Sequence, residues 1–362
     1  MQWPLLLIIF TYLLANFYLF RQLKDILLLL TTPWRQIIIC LYWCIALALF
    51  ISIGLRDAAL PSWLSHSLFF IGSSWLIVVL YMTPLTLLMQ LIQQIFPRYR
   101  HGLIYAGLLT LGILTYGYIH HFHVDVYRYD IQIDKKLSPT PIKIVGVSDI
   151  HLGEGTTQDQ LHDYIEKIQA EKPDLILISG DLIDHGVTAL YRDAMAQQLH
   201  QLRAPLGIYM VPGNHEYLGG MEQCAAFISK TPIRLLRDEI ATLPNGIQII
   251  GRDDYSNKKR KELSSLLKQT NPAQPIILLD HQPRCLAENA KLPIDLQLSG
   301  HTHHGQIWPL NWLTDYLFEQ SNGYKQWGQM HVFVSSGLSL WGPPFRIGTT
   351  SDMAVFTLQP KQ

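Results

Sequence analysis

The first twenty residues, MQWPLLLIIFTYLLANFYLF, contain no charged side chain. No other feature restricts the fold as strongly. Hydrocarbon offers a backbone N–H or C=O no partner, so a run of about 20 apolar residues in a bilayer has to close its own hydrogen bonds as a helix. Similar runs follow near 36–55, 67–95 and 102–122, rich in Leu, Ile, Phe and Ala, with Trp and Tyr near several ends. Aromatic rings at such ends favour the membrane interface. The piece 22–30 is too short to span and is expected along the surface. A secretory signal carries its basic residues before the apolar run; here Arg21 comes after it. The expectation is an all-α region of about four transmembrane helices over residues 1–123. None of the spans has a charged residue near its middle, which argues against a transport path.

Loop charges orient these spans. Arg21, Lys24 and Arg35 lie between the first and second, Arg98 and Arg100 between the third and fourth, and only Arg56, beside Asp57, between the second and third. The positive-inside bias puts the first and third loops in the cytoplasm. Residues 124–362 are then expected on the extracytoplasmic side, in a bacterium the outer face of the inner or plasma membrane. The motif "IHHFHVD" (119–125) is read as interfacial. Over the whole chain 28 Lys and Arg balance 28 Asp and Glu. A nucleic-acid partner would want a clustered basic surface, and none is expected. Four cysteines are too few for a disulfide scaffold.

After residues 124–139, read as a linker, the pattern changes. "IKIVGVSD" (142–149), "DLILISGD" (174–181) and "GIYMVPGNHE" (207–216) are apolar, β-branched runs ending in polar residues. Between the first two, Leu161, Tyr164, Ile165 and Ile168 recur at helical spacing after Thr156 and Thr157, good N-cap residues. Strand–helix–strand alternation implies a parallel α/β core. Later runs at 247–254, 275–283, 295–306, 331–337 and 352–358 add strands with fewer helices between them, as a second sheet. This catalytic domain is placed at 140–362.

Five strand ends carry the same kind of side chain. They give Asp149 and His151; Asp181; Asn214, His215 and Glu216; His281; and, in "GHTHHGQ", His301, His303 and His304. In open α/β sheets, sites form beyond the carboxyl ends of strands, so residues about 150 positions apart can converge. In extended chain i and i+2 share a side. His301 and His303 are expected to face one pocket and His304 to face away; Asp149 and His151 have the same spacing.

The ordered set D-x-H, G-D, G-N-H-E, H, G-H-x-H resembles the calcineurin-like metallophosphoesterase superfamily over roughly residues 140–358. The resemblance implies a four-layer α/β/β/α sandwich with a two-metal centre between the sheets. It implies one metal on Asp149, His151, Asp181 and His303. A second, bridged by Asp181, takes Asn214, His281 and His301. His215 is then the proton donor or phosphate contact. The family motif has Asp where this chain has Glu216, which is expected to orient His215 as an outer carboxylate.

Such a centre suits phosphate ester hydrolysis. Two divalent ions about 3.5–4 Å apart clamp phosphoryl oxygens and acidify a water that acts as nucleophile. Mixed O and N ligands suit Mn, Fe or Zn. No GxSxG elbow or Walker loop is present. "IWPLNWLTDYLF" (307–318) reads either as core or as an apolar ledge against the bilayer. Arg346 is a candidate phosphate contact. The favoured reading is a membrane-anchored phosphodiesterase or phosphatase, with a phosphodiester favoured and a lipid-linked or envelope phosphate as its substrate. The alternatives are a cytoplasm-facing pyrophosphohydrolase of the UDP-diacylglucosamine type and a non-catalytic membrane scaffold. Oligomeric state is not legible.

Overall fold

The computed structural model describes residues 3–55, 58, 60–98, 101–137 and 140–361. Arg56, Asp57 and Arg100, which enter the loop-charge expectation, lie outside the described residues. The chain divides into two units, one of residues 1–119 with Gly342–Phe345, the other of His120–Trp341 with 346–362.

Among the described residues the first unit contains four long helices, Trp3–Gln22, Thr32–Gly54, Ser62–Ile95 and Gly102–His120, with a short one, Lys24–Leu28, after the first. Three of them, Thr32–Gly54, Ser62–Ile95 and Gly102–His120, are long and apolar enough to cross a membrane; in the first, the apolar stretch is Leu6–Gln22. The unit is inside-out by the standards of a water-soluble bundle. Leu7, Ile8, Phe10, Trp63, Ile95 and Leu108 are exposed, while Asn16, Ser73, Thr86 and Thr110 are buried. Asn16 ties three helices together. Its Oδ1 accepts from Trp75 Nε1 (2.9 Å), its carbonyl accepts from the Tyr42 hydroxyl (2.8 Å), and its Nδ2 donates to Tyr12 O (2.9 Å). Polar groups that cannot reach water are satisfied across helix interfaces in this way. Small residues do the close packing: a Cβ on Gly72 would sit 2.1 Å from the Leu49 backbone nitrogen.

The second unit contains twelve strands among the described residues: β1 (Val124–Ile133), β2 (Ile142–Val147), β3 (Leu175–Ile178), β4 (Ile208–Met210), β5 (Ile233–Leu235), β6 (Glu239–Thr242), β7 (Gln248–Gly251), β8 (Ile276–Leu279), β9 (Leu296–Ser299), β10 (Gly323–Trp327), β11 (Met330–Val334) and β12 (Ser351–Pro360). They form two six-stranded sheets, β1-β12-β2-β3-β4-β5 and β10-β11-β9-β8-β7-β6. Strands β2 to β5 run parallel, as do β7, β8, β9 and β11, so each sheet has a parallel centre. Residues 124–133, read as linker from the sequence, are β1, the edge strand parallel to β12 from Val124↔Ser351 to Ile133↔Pro360.

The period of two along each strand builds the layers. Leu175 and Leu177 of β3 join Ile277 and Leu279 of β8 in the core between the sheets. Ile176 and Ile178 face the other way, onto Leu161, Ile165 and Ile168 of the helix Gln158–Ala170. Ile276 and Leu278 pack outward on Leu263, Leu266 and Leu286. The result is the expected helix–sheet–sheet–helix stack. Each fully buried Leu or Ile contributes about 1.5–3 kcal/mol. The Gln158–Ala170 helix starts where the sequence indicates: Thr157 Oγ1 accepts from Gln160 N (3.2 Å), and Gln160 Oε1 accepts from Thr157 N (2.9 Å), a reciprocal cap.

Candidate metal centre

Each candidate ligand follows the last residue of its strand by two to four positions: Asp149 and His151 after β2, Asp181 after β3, Asn214 after β4, His281 after β8, His301 and His303 after β9. Their donor atoms converge. His151 Nε2 and His303 Nε2 are 3.0 Å apart, with Asp149 Oδ1 at 3.7 Å and 3.3 Å from them. His281 Nε2 lies 3.1 Å from Asp181 Oδ2, and Asn214 Oδ1 lies 2.8 Å from His301 Nδ1 and 3.2 Å from His281 Nε2. Asp181 Oδ2 stands 3.9 Å from His151 Nε2 on its other side. The geometry therefore gives two clusters with Asp181 between them.

The route to this convergence differs from strand alternation. Asp149, His151, Asp181, His301, His303 and His304 have φ between 47° and 73°. Left-handed backbone is disfavoured for residues with a Cβ, and its concentration here is strain held at a site. His303–Gly305 is a short 3-10 turn. His304 does face away from the ligands, with Nε2 3.3 Å from Asp315 Oδ1. It does so because its backbone is turned. Two glycines of the motifs are explained by close approach. A Cβ on Gly213 would lie 2.1 Å from Asp181 Oδ1, and one on Gly300 would lie 2.1 Å from Asp149 Oδ2.

Glu216 is completely buried but does not orient His215. Its carboxylate accepts three backbone N–H groups, from Gly213 (2.7 Å), Ile183 (2.9 Å) and Asp181 (3.1 Å). It pins the loop after β3 to the loop after β4. The carboxylate beside His215 is Asp184, which the sequence reading passed over. His215 Nδ1 is 3.1 Å from Asp184 Oδ1 and donates to Asp184 O at 2.8 Å. Asp184 Oδ1 also lies 3.3 Å from His151 Nδ1 and 2.8 Å from His185 Nδ1. The signal was the D-x-x-D spacing in "SGDLID". Arg346 is not a phosphate contact. It is fully buried and donates to the carbonyls of His303 (2.9 Å), Ser339 (3.0 Å) and Ser336, fastening the histidine loop from behind.

The carboxylates and imidazoles shift one another: burial opposes a proton on His151 and His281, but Asp149 and Asp184 raise the first to about 10 and Asp181 raises the second well above the usual imidazole value. Burial holds His301 and His303 down at about 4, so both offer lone pairs at neutral pH. Burial alone would raise Asp181, but His281, His215 and His151 bring it down to about 2. Asp149 is likewise held well below the usual carboxylate range, against burial, by His303 and His151. Burial pushes Glu216 up to about 7, helped by the charge of Asp181. Burial opposes a proton on His215, but Asp184 and Asp181 outweigh it and raise its pKa. Carboxylate, amide and imidazole donors converging with no thiolate among them fit divalent Mn, Fe or Zn.

This geometry separates the three loop histidines. His303→Ala and His301→Ala should each lower bound metal, whereas His304→Ala should retain the wild-type metal content. Metal analysis of the three purified variants checks this; loss from His304→Ala alone would contradict the geometry.

Residues 142–305 match the calcineurin-like phosphoesterase family. An uncharacterized metallophosphoesterase of Aquifex aeolicus is 34% identical over 248 residues, 66% of this chain and 94% of that protein. One of Helicobacter pylori is 35% identical over 238 residues, covering 64% of this chain and 62% of the relative. A Bos taurus transmembrane protein with metallophosphoesterase domain is 33% identical over 242 residues, 61% of this chain and 54% of its own length.

Proposed function

Because the chain belongs to the calcineurin-like metallophosphoesterase family, a family of metal-dependent phosphoric ester hydrolases, we propose that it is a membrane-anchored phosphodiesterase that acts on a lipid-linked phosphate from the extracytoplasmic side. The observation that carries the reading is the pair of donor clusters that share Asp181. In this reading Asp149, His151, Asp181 and His303 hold one divalent cation, and Asp181, Asn214, His281 and His301 hold the other. The cations supply positive charge for phosphoryl oxygens and lower the pKa of a water.

The chain's own residues do the rest. Asp181 presents Oδ2 toward both clusters while its Oδ1 accepts the His215 N–H at 2.9 Å, which fixes the carboxylate plane. His215 has its Nδ1 proton committed to the Asp184 carbonyl, so Nε2 remains to protonate the leaving oxygen, a general-acid role. Asn214 is a neutral donor and preserves net positive charge for an anionic substrate.

The side assignment rests on the loop charges and on four spans. Asn16 supports the first helix as a lasting member of the bundle, since its bonds to Tyr42 and Trp75 would be lost if residues 1–20 were removed. Right-side-out and inside-out membrane vesicles test function and side together. With Mn²⁺ added outside and the membrane-impermeant diester bis(p-nitrophenyl) phosphate, right-side-out vesicles should hydrolyse it. Activity in inside-out vesicles alone would reverse the side and favour the UDP-diacylglucosamine-type pyrophosphohydrolase. No metal-dependent hydrolysis in either would overturn the phosphodiesterase reading.

A further inference from the structure

Directly after the ligand loop stands a helix, Leu310–Leu317, built the wrong way round for water. A surface helix normally turns its apolar stripe inward. Here Leu310, Trp312, Leu313, Tyr316 and Leu317 are between 43% and 86% exposed, and no residue of the helix is buried. Asp315, half exposed, accepts from the Ser321 hydroxyl and lies 3.3 Å from His304 Nε2, while the Thr314 hydroxyl donates to Asn311 O of its own helix at 2.9 Å. Trp308, also exposed, continues the apolar surface, with its ring 5.4 Å from that of Trp312. An exposed apolar patch of this kind marks an interaction surface.

We propose that Leu310–Leu317 is an interfacial membrane-binding helix that seats its apolar face in the headgroup–acyl boundary of the bilayer. The occupant is chosen by chemistry. Two Trp and one Tyr beside three Leu are the amphipathic mixture that settles at a bilayer interface, about 5–10 Å into the headgroup and acyl boundary. The same chain supplies three helices long and apolar enough to cross a membrane, so a bilayer is always within tether length. Within its own unit the start of the helix is fixed by backbone and side-chain bonds: Trp308 N donates to Ile347 O (2.7 Å) and Gln306 Nε2 to Trp341 O (3.1 Å).

The consequence reaches the site. The helix is coupled to the ligand loop through His304–Asp315, through the Thr302 hydroxyl on Ser321 O, and through the rings of His301 and Phe318 at 5.9 Å. A helix seated at the headgroup level holds that loop at the same depth. The substrate class is then a phosphate ester in the headgroup of a membrane-resident lipid. This last step rests on the phosphoesterase reading above; the membrane seating does not.

Photo-crosslinking of the full-length protein separates the two. The probe is phosphatidylcholine carrying an acyl-chain diazirine, in phosphatidylcholine vesicles, with adducts located by mass spectrometry. Adducts are expected on Trp312, Leu313, Tyr316 or Leu317 as well as on the spanning helices. The double substitution Leu313→Glu with Leu317→Glu should cut the Leu310–Leu317 adducts at least ten-fold while those on Ser62–Ile95 persist, which also shows that the variant is folded and inserted. Adducts confined to the spanning helices, or protein–protein crosslinks at Leu310–Leu317 in place of lipid ones, would overturn the seating. Lipid adducts in a protein with no hydrolytic activity toward any phosphoester would leave the seating standing and remove the phosphoesterase reading.

Discussion

Asp181→Asn should abolish most hydrolytic activity, by at least ~10²-fold, and lower metal content toward one ion or none per chain. The floor comes from outer partners of metal ligands, whose loss alone typically costs 10–100-fold; a shared ligand is worth more. The substitution is nearly isosteric, so the effect isolates charge and donor chemistry. Asn Oδ1 can still accept the His215 N–H that Asp181 Oδ1 accepts at 2.9 Å. The atom replaced is Oδ2, the one facing His281 at 3.1 Å and His151 at 3.9 Å. An NH₂ there is a donor pointed at positions that need an anionic acceptor. Metal analysis and turnover of a chromogenic diester, with circular dichroism to confirm folding, check the result. A variant with two ions and full activity would refute the shared role of Asp181.

How far the site could be read from the chain follows from what each residue does. The ligands were legible because each sits just beyond a strongly apolar strand: "LILISGD" and "IILLDH" announce both the strand and its end. The layers were legible for the same reason, since Leu175 and Ile176 must face opposite ways on a pleated strand. Backbone conformation was not. The expectation that His304 turns away was met through left-handed φ at 303 and 304, whereas the reasoning used an extended chain. Asp184 escaped because its function is convergence: one carboxylate meets imidazoles from three positions, His151, His185 and His215, and no local spacing encodes that. Strand β1 escaped although its C-terminal end alternates in period two, with Ile131 and Ile133 buried and Gln132 exposed. An edge strand with Arg128 and Asp130 outward reads as polar linker until its partner, β12, is known. Arg346 escaped because a guanidinium in a loop next to a phosphate site invites the obvious role, while burial gives it five neutral oxygens to hold instead.

Glu216→Ala should be the most destabilising single change at the site, and the reason lies in the backbone. The carboxylate is the acceptor for three buried N–H groups, those of Gly213, Ile183 and Asp181. Alanine leaves all three without a partner, at about 1–3 kcal/mol each. The total is on the scale of a whole domain's stability of about 5–15 kcal/mol. Glu216→Gln is the control that keeps the shape: it retains one acceptor oxygen but turns an NH₂ toward an N–H, so an intermediate loss is expected. Glu216→Asp, which restores the residue of the family motif, is one methylene shorter and cannot keep all three bonds without moving a loop. Thermal unfolding of the four proteins should rank them wild type, then Gln and Asp, then Ala. Metal content should fall in the same order, because the bond to Asp181 N is what holds the shared carboxylate at its station. If Ala unfolded within a degree or two of wild type yet lost activity, Glu216 would act in chemistry and not in loop fixation. If Ala kept both stability and metal, three unpaired N–H groups would have found water, and the burial of this junction would have to be smaller than the structure gives.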